Sequence, residues 1–217
     1  MNIEQARFNM IEQQIRTWEV LDPDVLQLLS QVKRERFVPA EHRELAFADL
    51  EIPLGDGQSM WQPKVEARVL QELDVQPGDV AYEVGTGSGY FAALLARRAR
   101  QVASAEIRAA LAGRARKLLA EEGCGNVTIL EGDSARAPLG EATYDVIALT
   151  GSTPLLPQAF LERLNPGGRL FAVIGDVPVM KAVLVRQGRR GDFQRTELFE
   201  TVLAPLDHAQ QPARFRF

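Results

Sequence analysis

Residues 80–90 read Val-Ala-Tyr-Glu-Val-Gly-Thr-Gly-Ser-Gly-Tyr, an apolar run that ends in an acid and breaks into glycines at every second position. Glycine has no side chain and tolerates positive φ, so such a turn lets the main chain come within contact distance of a ligand. The helix expected after it presents partial positive charge at its N-terminus. Spacing narrows the ligand. Counting from Gly85, the dinucleotide fingerprint Gly-x-Gly-x-x-Gly needs a glycine where Tyr90 stands. Glu106 closes the next apolar segment and offers two carboxylate oxygens to the two hydroxyls of a ribose. Asp133, in Glu131-Gly132-Asp133-Ser134, stands where an acid reads an adenine amino group; its other reading is a turn-former beside Gly132.

The remaining chemistry-bearing residues are few. His42 and His208 are the only histidines, and neither stands in a base-plus-nucleophile arrangement, so both are read as surface or packing residues. Asp145, just before an apolar segment, is read as structural. Cys124 is the single cysteine, which precludes an intrachain disulfide and suits a reducing compartment. The net charge of −4 leaves no basic face for nucleic acid, and Arg97, Arg98 and Arg100 read as the solvated end of a helix. No apolar run approaches the roughly 20 residues that span a bilayer, and the N-terminus lacks the layout of a signal peptide. The expectation is a cytoplasmic protein with no membrane or nucleic-acid partner and no bound metal.

The elements that must position these residues follow from periodicity. Ile3, Ala6, Met10, Ile11 and Ile15 share one face of an amphipathic helix. Asp22-Pro23 reads as an N-cap followed by proline at the first helical position, with Val25, Leu28, Leu29 and Val32 as the buried stripe. Residues 46–63 show no clear periodicity, a pattern that is functional or disordered in a compact protein. A helix begins at Gln62-Pro63. Strands are expected at 80–84, 101–106, 127–130, 144–150 and 169–174, with helices at about 90–98, through Leu111–Leu119, and near 155–164. Segments 182–186 and 198–203 are expected to close the sheet antiparallel. Strands alternating with helices specify an α/β, doubly wound, Rossmann-like sheet, mostly parallel, preceded by an N-terminal helical segment. Residues 1–76 are expected to pack, as helices and a substrate loop, on a ligand-binding core at 77–217, forming one compact unit.

Several stretches in this order resemble the protein-L-isoaspartate O-methyltransferase family. They are Phe37-Val38-Pro39, Ala48-Asp49, Ile52-Pro53-Leu54-Gly55-Asp56-Gly57-Gln58, Pro63, Glu83-Val84-Gly85-Thr86-Gly87-Ser88-Gly89-Tyr90, Gly132-Asp133, Thr150 with Pro154, and Pro166-Gly167-Gly168. The glycine motif belongs to S-adenosylmethionine-dependent methyltransferases in general; the Gly55–Gln58 stretch is far more specific. The resemblance implies methyl transfer from S-adenosylmethionine to the carboxylate of an L-isoaspartyl residue in a damaged protein, by a monomer or homodimer. It implies cofactor contacts from Gln58, Ser59, Glu83, Gly85, Thr86, Gly87, Gly89, Glu106 and Asp133. Asp56, Gln58, Trp61 and Thr150 would meet the acceptor, and Ser59 would be catalytic. A carboxylate is already ionised at neutral pH, so the chemistry needs no general base. One departure stands out: where the family reads Thr-Ile-Ser, with a catalytic role assigned to the final Ser, this chain reads Ser59-Met60-Trp61, so that Ser59 replaces the Thr and Trp61 the catalytic Ser. The indole either fills part of the acceptor pocket, turns outward, or packs beneath the loop. The family's C-terminal cofactor contacts also align poorly with Leu206-Asp207-His208-Ala209-Gln210. The alternatives are a relative that methylates another acceptor, such as a small carboxylate, and a non-catalytic protein that keeps the cofactor site.

Overall fold

The structure is a computed structural model that describes residues 2–188 and 190–213. The N-terminal part is helical: α1 (Ile3–Met10) runs on through a wide turn at Ile11–Ile15 and a tighter one at Arg16–Trp18. It is followed by α2 (Pro23–Gln31) and α3 (Arg34–Phe37). The Asp22 cap forms as its sequence dictates, with Oδ1 accepting from the amides of Asp24 at 2.8 Å and Val25 at 3.3 Å. The aperiodic stretch after it is a hairpin of two very short strands, β1 (Ile52–Gly55) and β2 (Gln58–Met60). It reverses through Gly55-Asp56-Gly57, all with positive φ. Helix α4 (Pro63–Leu73) leads into the sheet.

The sheet elements are β3 (Val80–Val84), α5 (Tyr90–Ala96), β4 (Gln101–Glu106), α6 (Ala109–Glu121), β5 (Val127–Glu131) and β6 (Tyr144–Thr153). They continue as α7 (Gln158–Leu161), β7 (Leu164–Asp176), β8 (Val179–Gln187) and β9 (Phe193–Thr201). The strand order is β5-β4-β3-β6-β7-β8-β9, parallel from β5 to β7 and antiparallel at β8 and β9. The chain moves outward from β3 to β5 and then crosses back to β6, so strand order reverses beside β3. In open sheets of this kind ligands bind outside the carboxyl ends of the strands at that reversal. The expected mostly parallel sheet with an antiparallel close is therefore observed.

One hydrophobic cluster joins the N-terminal helices and α4, α5 and α6 to one face of the sheet. A second, with Tyr82, Phe160 and Leu170 fully buried, covers the other face. Boundaries depart from periodicity at several elements: β7 begins at Leu164 rather than 169, β8 spans Val179–Gln187 rather than 182–186, and three others have a clear physical cause. The helix expected near 155–164 is a single turn, because Pro154 and Pro157 cannot donate backbone hydrogen bonds. Strand β6 runs on to Thr153, because Ser152 pairs with the C-terminal segment: its amide donates to Ala204 O and its carbonyl accepts from the Leu206 amide, each at 2.9 Å. Strand β9 starts at Phe193, earlier than its apolar residues suggest, since it is an edge strand carrying Arg195, Glu197 and Glu200. Among the described residues no helix is long and apolar enough to cross a membrane.

Candidate active site

A cleft with about 760 Å³ of empty space, part of it open to solvent, lies at the carboxyl ends of β3, β4, β5 and β6. Its floor is the glycine turn. Gly85 has φ 95°, and a Cβ there would collide with Thr150 Oγ1. Gly87 has φ 53°, and a Cβ would sit 3.3 Å from Leu54 of the hairpin. Gly89 lies outside the cleft, capping α5 and packed on Ala115. The turn's amides are largely used internally. Those of Gly85 and Thr86 donate to Ala105 O at 2.8 and 3.2 Å, and that of Gly87 donates to Glu106 Oε2 at 2.9 Å. What the glycines supply to a ligand is therefore room for close approach more than free donors.

The acids sit where the strands deliver them. Glu106 is buried, and its other oxygen accepts from the Arg108 amide at 3.0 Å. Both oxygens are thus oriented by backbone, and each keeps a lone pair for a ribose hydroxyl. Asp133 Oδ1 accepts from the Ala135 amide at 3.0 Å, as a turn-forming aspartate does, while its side chain lines the cleft. That amide, aided by His208 Nδ1 at 2.8 Å from Oδ2, holds the carboxyl below its usual range. Glu83 is fully buried beneath the turn. Ser104 donates to its Oε2, and Thr86 Oγ1 lies 2.5 Å from Ser104 Oγ. Burial, with a smaller contribution from neighbouring Glu106, raises the Glu83 carboxyl to about 8, so it holds a proton at neutral pH. Its Oε1 is buried and has no partner among the described residues, and Glu83 lines a smaller pocket of about 330 Å³ with Ser88 and Phe91. Thr150 Oγ1 lies 2.7 Å from both Val84 O and Gly85 O. Its single proton is shared between them, which fixes the glycine turn to β6.

The opposite wall is the hairpin. Gln58, Ser59 and Trp61 line the cleft, whereas Asp56 sits exposed at the hairpin tip, outside the cavities that line with these residues. Ser59 Oγ donates to Glu51 Oε2 at 2.8 Å, which brings an unexpected carboxylate to this wall. Trp61 is turned inward, 7% exposed, with ring centroids 5.5 Å from Phe91 and 5.9 Å from Phe171. The indole is turned inward rather than outward, and Trp61 lines both the cleft and the smaller pocket beside it.

Arg34 holds this wall in place. It is 1% exposed; Nε lies 3.0 Å from Glu66 Oε2, Nη1 donates to Ala46 O at 3.1 Å, and Nη2 donates to Trp61 O at 2.5 Å. One guanidinium thus clasps both ends of segment 46–61. Burial outweighs this pairing at Glu66 and raises its carboxyl to about 7. Arg34 and Glu51 escape sequence reasoning because neither lies in a motif; Asp207 and His208, which the sequence places only in a poorly aligning stretch, act through partners distant in the chain. Asp145, read as structural, accepts from the Val80 amide and from Asn165 Nδ2, each at 2.8 Å.

The donor set fits S-adenosylmethionine. A glycine cradle that a Cβ would fill, an oriented acid at the end of β4, and an orphaned buried carboxyl oxygen match the needs of a nucleoside joined to a cationic amino acid. The model of the family described as Protein-L-isoaspartate(D-aspartate) O-methyltransferase (PCMT) matches residues 5–211. A protein-L-isoaspartate O-methyltransferase of Koribacter versatilis is 36% identical over 210 residues, 96% of this chain and 94% of the relative. A second, from Rhodopseudomonas palustris, is 39% identical over 191 residues, 88% of each chain. Among solved structures, a protein-L-isoaspartate O-methyltransferase superposes with TM-score 0.78 at 22% identity; 92% of this chain spans 65% of that longer one. A Plasmodium falciparum structure assigned to the same activity and crystallised with S-adenosyl-L-homocysteine gives TM-score 0.77 at 19% identity, covering 95% of this chain and 98% of the other. The two solved structures share the fold, and the family match and curated relatives extend across nearly the whole sequence. The chain belongs to the S-adenosylmethionine-dependent protein-L-isoaspartate O-methyltransferase family.

Proposed function

We propose that this chain methylates the free carboxylate of L-isoaspartyl residues in damaged proteins, working in the cytoplasm. The observation that carries the reading is the pairing of two walls across one cleft: the glycine turn with Glu106 and Asp133 on one side, and Gln58-Ser59 of the hairpin on the other. S-adenosylmethionine, when bound, supplies a methyl group activated by its positive sulfonium. Glu106 holds the ribose hydroxyls, Asp133 accepts from the adenine amino group, and the orphaned Glu83 oxygen accepts a donor from the amino-acid end. Gln58 and Ser59 orient the acceptor.

The acceptor carboxylate is the nucleophile and enters already ionised. The protein's tasks are then alignment and exclusion of water, for which the rate gain comes from positioning. Trp61, Leu54 and Leu206 supply the apolar surface around the reacting atoms. Ser59 must turn its hydroxyl from Glu51 to the acceptor, so one proton serves two carboxylates in succession. That competition favours a second reading, in which the acceptor is a different, less anionic group. The deciding experiment measures labelled methyl transfer to an isoaspartyl peptide and to its aspartyl twin, with cofactor binding followed by calorimetry. Selective transfer to the isoaspartyl peptide is expected; cofactor binding with no transfer to it would overturn the isoaspartyl assignment.

A further inference from the structure

The C-terminal segment forms a strap along the end of the cleft that Asp133 lines. Residues 203–207 line it, and the turn that follows is tied to two loops of the sheet. Asp207 pairs with Arg108 at 2.7 Å. Arg136 Nε donates to the His208 carbonyl at 2.8 Å. His208 Nδ1 meets Asp133 Oδ2 at 2.8 Å. Arg108 follows β4, while Asp133 and Arg136 follow β5, so the strap bridges the ends of two neighbouring strands. His208 itself has φ 61°, in a turn closed by the Ala209 amide on Leu206 O at 3.1 Å. A left-handed residue other than glycine persists where its surroundings over-determine it.

A carboxylate only accepts, so His208 Nδ1 is the donor in this bond. The Ala135 amide already holds Oδ1 at 3.0 Å. With His208 on Oδ2, both oxygens are fixed and the plane of the carboxylate is set. Without His208 the Ala135 amide alone would hold this carboxylate, whose side chain is 45% exposed. Each oxygen retains a second lone pair for a ligand donor.

We propose that His208 is a positioning residue for nucleobase recognition: by holding Asp133 Oδ2 it aims the carboxylate at the adenine amino group and locks the C-terminal strap over the nucleoside. The inference rests on the cleft being the S-adenosylmethionine site. It assigns base discrimination to a residue outside every motif of the chain.

Calorimetry of S-adenosylhomocysteine and S-inosylhomocysteine tests it, because the two ligands differ at one edge of the base, where the C6 amino donor that Asp133 would read becomes a carbonyl acceptor and N1 gains a proton. The wild-type protein is expected to prefer the adenosyl ligand by about 10-fold or more, the usual worth of a hydrogen bond to a charged group. His208→Ala is expected to shrink that preference to within about 3-fold, whereas His208→Asn, whose amide can replace Nδ1, retains most of it. Should His208→Ala melt below the assay temperature, His208→Phe keeps a ring in place without a donor and carries the same comparison. An unchanged preference in His208→Ala, or equal weakening of both ligands, would overturn this inference and leave the cofactor site standing. A wild-type protein that binds S-adenosylhomocysteine without preferring it would overturn the reading of Asp133 and this inference together. Failure to bind either ligand would overturn the cofactor site itself.

Discussion

The two walls of the cleft are built by different physics. On the glycine-turn side, strands end and backbone does the work: the Gly87 and Arg108 amides orient Glu106, the Ala135 amide orients Asp133, and Thr150 ties the glycine turn to β6. On the hairpin side, two strands of four and three residues cannot stand alone. They are held by a buried guanidinium and an inward-facing indole. The first wall follows from local rules of chain geometry, whereas the second depends on side chains converging from residues 34, 46, 61 and 66.

Breaking each wall separately should therefore give different signatures. The largest effect is expected from Arg34→Met, which strips both ends of the hairpin segment and leaves Glu66 without its partner. Breaking one side of a buried pair costs about 3–5 kcal/mol. In the folded fraction, KM for the acceptor should rise while the cofactor Kd holds; a change confined to cofactor Kd would dissolve the distinction between the walls. Trp61→Ser comes next. Because the ring packs on Phe91 and Phe171, its loss should cost about 3 kcal/mol in a melting or denaturant experiment, with no gain in isoaspartyl methylation. A gain would mean that the indole obstructs the acceptor.

Gly85→Ala probes the other wall. Positive φ and the clash with Thr150 should cost about 1–3 kcal/mol and weaken cofactor binding, while the hairpin contacts stay intact. The smallest effect per step is in pH. Glu83 is raised from 4.5 to about 8 in the folded protein, so between those values the unfolded chain has lost a proton that the native state keeps. Stability should fall with rising pH across that window, by up to about 1.4 kcal/mol per unit. Glu83→Gln should flatten that slope in chemical denaturation at pH 6, 7 and 8, and an unchanged slope would assign it to other groups.

The same division governs what the sequence revealed. The glycine turn, Glu106 and Asp133 were legible because spacing along the chain encodes where strands end and where a backbone must turn. The Asp22 cap and the stripe of α2 were legible for the same reason. The hairpin showed no period because its strands are too short for alternation to register, and its strength lies in Arg34. Trp61 could be seen as a departure but not oriented, since the choice depends on the cavity that Phe91 and Phe171 leave between them. The early start of β9 was hidden by the charged residues that protect a sheet edge. His208 stood beyond any motif, and only the folding back of the C-terminal segment onto β6 brings it to Asp133.

The Arg34 clasp also sets the rules for altering this loop. Because one side chain gathers Ala46 O and Trp61 O, the segment between them is already a closed ring whose ends do not depend on its tip. Lengthening a closed flexible loop is thermodynamically mild, with about 0.6 kcal/mol for each doubling. Residues added at the exposed tip should therefore reshape what the wall offers an acceptor at little cost to the fold beneath, whereas exchanging Gly55 or Gly57 would strain a backbone held at positive φ.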